Sequence, residues 1–172
     1  MFPEPRIDAA RGYEIDPHYG EPSRRLWRDR RAEIVIGDFT RAVPPEREAD
    51  RFNLLICNPP YVRHHHLQPD DKKHLQARAV HSFQAKISGL AGLYVYFVGI
   101  ARAWLQEGGL AGWLILSEFM DVNYGSALRH YLTSQITLLE IRRFDPLDVQ
   151  FDDALVSSVI VWFRKQKPRT DR

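Results

Sequence analysis

The chain has 172 residues, a length that fits one domain with a proper core. Its 24 basic against 22 acidic residues leave a net charge of only +2, too mild to announce nucleic acid by itself, and 44% hydrophobic with 27% charged residues is ordinary for a soluble globular protein. A single cysteine, Cys57, excludes an internal disulfide and fits a reducing cytoplasm. The start, Met1-Phe2-Pro3-Glu4-Pro5, lacks the basic head and apolar stretch of a signal peptide, and the longest apolar run, 90–101, falls short of the roughly 18 residues of a membrane span.

In chain order, residues 11–15 read as a short strand carrying an acid near its end. Asp16-Pro17 then supplies an N-cap followed by proline at the first helical position, which predicts a helix to about Arg30. Glu33 to Gly37 reads as a second strand ending at Asp38-Phe39, and 42–50, with Pro44-Pro45, as a surface loop. The apolar run Phe52 to Cys57 reads as a buried strand. Residues 62–88 are polar, with a helix expected after Pro69, where Asp70 and Asp71 suit a helix N-terminus. The pattern then predicts an apolar helix from Leu90 to Gln106 stopped by Gly108-Gly109, a strand from Leu110 to Leu116 and a helix from Asp121 to Thr133. Ile136 to Arg142 and Ala154 to Phe163 close the series as strands, followed by a frayed basic tail, 164–172. Strands alternating with helices predict an α/β fold with a mainly parallel sheet. The last two strands lack an intervening helix, so the last strand is expected to be antiparallel.

The most informative residues are Asn58-Pro59-Pro60-Tyr61. Adjacent prolines cannot donate to a sheet ladder, so the strand must stop there. The stop leaves an amide, stiff carbonyls and an aromatic ring at a strand's carboxyl end, where open α/β sheets bind ligands. Two acceptors and a stacking face suit a planar group bearing an exocyclic amine. Ser117-Glu118-Phe119 ends another strand at the same rim and is a weaker candidate to line it. The histidines His64-His65-His66 are not read as a metal site, because adjacent residues of an extended segment diverge. With Arg63, Lys72 and Lys73 they either face phosphates or form a solvated loop. Cys57 has no evident base beside it, which disfavours a thiolate nucleophile.

In these motifs the chain resembles class I S-adenosylmethionine-dependent methyltransferases, specifically N6-adenine DNA methyltransferases of restriction–modification systems. Asn58-Pro59-Pro60-Tyr61 is similar to their catalytic motif, and its extension Val62-Arg63-His64-His65-His66-Leu67 to the version in enzymes that join methylase and restriction activities. Gly12-Tyr13-Glu14-Ile15-Asp16-Pro17 resembles the ribose-binding motif, and Gly37-Asp38-Phe39 the adenine-ring motif of the cofactor site. Phe151-Asp152-Asp153-Ala154-Leu155-Val156 resembles the motif whose aromatic residue contacts the flipped base.

The resemblance implies a Rossmann-like fold over 1–163, S-adenosylmethionine as methyl donor and DNA as substrate. Asn58 and the Pro59 carbonyl would accept from the adenine amine, Pro60 would stiffen the turn, and Tyr61 and Phe151 would hold the base. Glu14 would take the ribose, with Ile15, Asp38 and Phe39 around the cofactor's adenine. One departure stands out: no glycine precedes Gly12, so the first strand of the fold and its glycine-rich loop are missing. The chain then corresponds to the carboxyl portion of a catalytic domain, truncated or completed by a second polypeptide that also brings target recognition. Two alternatives follow: methylation of a glutamine amide in a protein, or an incomplete fragment or binding subunit.

Overall fold

The computed structural model describes residues 7–144 and 157–168. The chain divides into two compact units, 1–43 and 44–172.

In the first unit, strand β1 (Ala10–Glu14) pairs in parallel with β2 (Ala32–Ile36), joined by helix α1 (Pro17–Trp27). The helix starts where the sequence directs it. Asp16 caps it by accepting from the His18 amide at 2.8 Å, Pro17 occupies the first turn, and Glu14 Oε1 accepts from the Asp16 amide at 2.9 Å. A short 3-10 turn, Phe39–Arg41, follows β2.

The second unit holds a four-stranded sheet in the order β3-β4-β6-β5. Strand β3 (Phe52–Cys57) runs parallel to β4 (Leu105–Leu116), while β6 (Ser158–Arg164) is antiparallel to both β4 and β5 (Thr137–Arg143). This mixed arrangement is the mainly parallel α/β sheet with an antiparallel last strand that the sequence predicts. Among the described residues β1 pairs with β2 alone and β3 with β4 alone. The burial expected of this strand is not found: β3 is a strand over Phe52–Cys57 but none of its residues is buried, and Leu54 and Ile56 stand 46% and 66% exposed, unusual for apolar residues of a sheet.

Helices α2 (Pro69–Phe83), α3 (Leu93–Ala101) and α4 (Ser126–Ser134) supply the core. Phe83 from α2, Tyr131 from α4 and Phe163 from β6 pack edge to face, with centroids 5.1 and 5.7 Å apart. Tyr94, Tyr96 and Trp104 are buried, as expected of an apolar helix facing a sheet.

Three boundaries differ from the sequence reading. The helix expected over 90–106 spans only Leu93–Ala101, and a 3-10 turn leads directly into β4 at Leu105. Gly108-Gly109 therefore lies inside a strand: Gly108 takes φ +76° and absorbs an irregularity in the register against Phe52–Leu54. The helix expected from Asp121 begins at Ser126, after two 3-10 turns. The frayed tail expected from Arg164 starts later, because Arg164 belongs to β6 and Lys165 is buried, its ammonium donating to the Leu105 carbonyl.

Candidate active site

The carboxyl ends of β3 and β4 form one rim because the two strands are parallel, with Cys57 opposite Trp113. At the end of β3 Pro59 is buried while Asn58 stays exposed, so the turn is anchored and the amide is presented outward. Tyr61 is half-buried and its hydroxyl donates to the Leu114 carbonyl at 3.1 Å. The ring is thereby pinned to β4, and burial raises its phenol. Val62 fixes the next step by accepting from the Leu93 amide at 2.9 Å, at the start of α3. Strand β6 enters at the same rim, where the Ser117 amide donates to Ser157 at 2.8 Å. Asn58, Pro59, Pro60, Tyr61 and Ser117-Glu118 are thus brought to one edge. Phe151 lies outside the described residues.

Burial pushes the Cys57 thiol up to about 12, so it stays protonated at neutral pH. This disfavours a thiolate nucleophile on a stronger ground than the lack of a base. The histidine segment forms a 3-10 turn, His64–His66, not the extended stretch expected. Its rings contact one another, centroids 5.3 and 4.1 Å apart, and among the described residues no three metal-ligating side chains converge. Slight desolvation and the charges of His66, His64, Arg63 and Lys72 hold His65 below the usual imidazole value.

In the first unit, Glu14 is held at the end of β1 by the Asp16 amide, next to Ile15, an apolar residue left 69% exposed. An oriented carboxylate beside an open apolar surface fits a nucleoside. Asp38 is first of all a cap: its Oδ1 accepts from the Thr40 amide at 2.8 Å and the Thr40 hydroxyl at 2.7 Å. Its Oδ2 is ion-paired with Arg41, 3.4 Å from Nε. Phe39 packs edge-on against Tyr13 at 5.5 Å.

Sequence reasoning gave little weight to the loop after β4. There the guanidinium of Arg129 gathers the carbonyls of Phe119, Met120 and Val122, and burial first, with the Glu118 charge adding to it, pushes the Tyr124 phenol up to about 12. The acid closing β4 was the only signal available for it.

A family model described as Eco57I restriction-modification methylase matches residues 21–149. The type II methyltransferase M.XamI of Xanthomonas campestris pv. amaranthicola is 34% identical over 143 residues, 83% of this chain and 26% of that protein. The chain spans about a quarter of the length of the curated relatives it matches. Among solved structures, one described as a putative class I S-adenosylmethionine-dependent methyltransferase, from Listeria monocytogenes, superposes with a TM-score of 0.69 at 12% identity, covering 95% of this chain and 46% of the other. The methyltransferase subunit of a type I restriction-modification system from Streptococcus thermophilus gives 0.72 at 12% identity, covering 94% and 34%. The sheet order thus has class I methyltransferase counterparts, and with the family match spanning three quarters of its residues the chain belongs to the Eco57I restriction-modification methylase family.

Proposed function

We propose that this chain carries the chemistry of a restriction–modification DNA methyltransferase that transfers a methyl group from S-adenosylmethionine to N6 of adenine. The observation that carries the reading is the rim itself: an exposed Asn58 on a proline-locked turn, beside a Tyr61 ring pinned to β4.

The adenine amine is a poor nucleophile because its lone pair is delocalised into the ring. The Asn58 side-chain oxygen and the Pro59 carbonyl accept its two hydrogens, which favours a pyramidal nitrogen with its lone pair directed away from the acceptors. Catalysis by such groups is orientation plus electrostatic complementarity. Tyr61 stacks on the base, which must leave the duplex to reach the rim, and Phe151 holds its other side. S-adenosylmethionine supplies an electrophilic methyl group. Glu14 takes its ribose hydroxyls, Ile15 and Phe39 line its adenine, and Asp38 Oδ2 accepts from its amine.

The family match and the type II methyltransferase relatives support DNA over a protein glutamine as substrate. A further polypeptide segment supplies the glycine-rich strand and the target-recognition part. The open face of Leu54 and Ile56, on a strand that among the described residues is paired on one side, supports that reading. The compartment is the cytoplasm, in keeping with a lone reduced cysteine.

The test is methyl transfer from labelled cofactor to unmodified duplex DNA by the active methylase, followed by nucleoside analysis. N6-methyladenine is the expected product; label recovered only as a methylcytosine or in protein refutes the assignment. Asn58→Ala should lower turnover by about 10²–10³-fold, the cost of removing one oriented polar group, with cofactor affinity intact by calorimetry.

A further inference from the structure

The turn that leaves the rim is cationic and fixed at both ends. At its start Val62 accepts from the Leu93 amide at 2.9 Å. Arg63 then enters the 3-10 turn His64–His66, closed by the His66 amide on the Arg63 carbonyl at 3.0 Å and the Leu67 amide on the His64 carbonyl at 3.3 Å. Leu67 is half-buried, while Arg63, His65 and His66 are exposed. The backbone thus holds these three side chains at the surface close to the base-stacking ring, His66 being at most about 18 Å of fully extended chain beyond Tyr61.

The three imidazoles touch in sequence. Ring centroids of His64 and His65 lie 5.3 Å apart, and those of His65 and His66 4.1 Å. Such a row resists gaining charge, because each proton added repels the next. Slight burial first, then the charges of His66, His64, Arg63 and Lys72, all oppose protonation of His65. No acid within the turn offsets this, since 62–68 contains none. Asp70, the first acid beyond, is ion-paired with Lys73 at 3.6 Å, and Asp71 is half-buried in the first turn of α2.

A fixed cationic turn without its own carboxylates asks for an anion from outside. Guanidinium and imidazole N–H groups are both donors to phosphate oxygens. In duplex DNA that anion is the backbone, and contacts to it set the register of the strand. A nucleotide extruded to Asn58 stays attached to its two phosphates, so the strand must pass beside Tyr61. Donors a few residues further along the same rim are placed to meet it.

We propose that the Arg63–His66 turn is a backbone-phosphate site, in which the Arg63 guanidinium and the exposed imidazoles of His65 and His66 hold the strand that delivers the target base. The inference rests on the DNA reading above, and the test separates the two. A bound phosphate favours the imidazolium, so binding takes up protons. The histidine contribution to affinity is full below the free-protein pKa and lost as pH rises through the bound-state value, whereas Arg63 stays charged throughout.

Sites modified by the active methylase are first mapped by single-molecule sequencing in a bacterial host free of DNA methylation. A labelled duplex carrying one such site is then titrated by fluorescence anisotropy across a salt series at about pH 5.5 and pH 8, either side of the imidazole range, with S-adenosylhomocysteine present so that no transfer occurs. Each phosphate contact contributes about 0.9 to the slope of log affinity against log salt. Arg63→Gln should lower the slope by about 0.9 at both pH values, and Arg63→Lys, which keeps the charge, should preserve it. The double form His65→Gln with His66→Gln should lower it by about 0.9 or more at the acid pH and leave it unchanged at the alkaline one. Modified sites and cofactor affinity should stay the same throughout, because phosphate contacts carry no sequence information. An unchanged slope in Arg63→Gln, or in the double histidine form at acid pH, overturns the proposal, and either form decides alone if the other fails to fold. A shifted set of modified sites also overturns it, since the turn would then read bases. Where the wild type still makes N6-methyladenine, these results sink this inference alone. A wild type that modifies no DNA overturns the function and this inference with it.

Discussion

Tyr61 allows the roles of ring and hydroxyl to be separated. Tyr61→Phe removes one hydrogen bond, the 3.1 Å contact to the Leu114 carbonyl, and keeps the ring. The net worth of such a bond is about 1 kcal/mol, which in a chain of this size lowers Tm by about 2–4 °C. Because the stacking face survives, kcat/KM for DNA should fall no more than about fivefold, the kinetic equivalent of the lost restraint. Tyr61→Ala removes the face itself. Base–aromatic stacking contributes about 1–3 kcal/mol, so kcat/KM should fall about 5- to 150-fold with cofactor affinity unchanged. The assay is initial-rate methyl incorporation into unmodified duplex DNA, with calorimetry for the cofactor and a thermal melt for the fold. Equal losses in the Phe and Ala forms would assign the work to the hydroxyl and refute the stacking argument. A parallel loss of cofactor affinity in Tyr61→Ala would move the ring out of the base pocket.

Three further outcomes test the physical reading around the rim. Cys57, with its thiol pushed up to about 12, should hold only about 10⁻⁴ thiolate at pH 8; iodoacetamide should label it slowly until the pH nears 12, and Cys57→Ala should keep methyl transfer. Lys165→Ala leaves the Leu105 carbonyl without its buried donor and should cost about 1–3 kcal/mol in a denaturant titration. Burial holds the Lys165 ammonium below its ordinary 10.5. The folded state therefore binds this proton more weakly than the unfolded chain, and the contribution to stability is full above pH 10.5 and lost as pH falls through the depressed value. Lys165→Met should flatten that part of the pH–stability curve, and a slope equal to the wild type would sink the assignment. Gly125→Ala should lower stability by about 1–3 kcal/mol through the clash with the Phe119 carbonyl; a neutral result in a thermal melt would mean the loop is not held as described.

The parts of this molecule that sequence exposes are those fixed by backbone chemistry. Pro59 and Pro60 end a strand wherever they fall, so the rim at Asn58 is legible without coordinates. Asp16-Pro17 starts α1 for equally local reasons. Failures come where a local signal has two outcomes. Gly108-Gly109 reads as a helix stop, yet a glycine at φ +76° can equally bend a strand, and the pairing of Leu105 with Phe52 decides the matter. The Arg129 clamp has no sequence signature at all: a guanidinium seven to ten residues beyond the carbonyls it gathers looks like any helical surface arginine.

The site's rigidity is a property of the ladder rather than of its loops. Tyr61 is fixed through the carbonyl of Leu114, a β4 residue whose register partner is Ile160 of β6. Ser117, just past the end of β4 at the same rim, is fixed through Ser157 at the entry to β6. One strand therefore sets both walls, although it lies roughly a hundred residues from Asn58. A one-residue slip of β6 would turn its buried Val159, Val161 and Phe163 outward and carry Ser157 away from Ser117. The aromatic contact of Phe163 with Tyr131 opposes that slip from within the core. It follows that core substitutions on β6 should impair methyl transfer beyond their effect on stability, whereas exposed substitutions on α1, such as Leu26→Lys, should not.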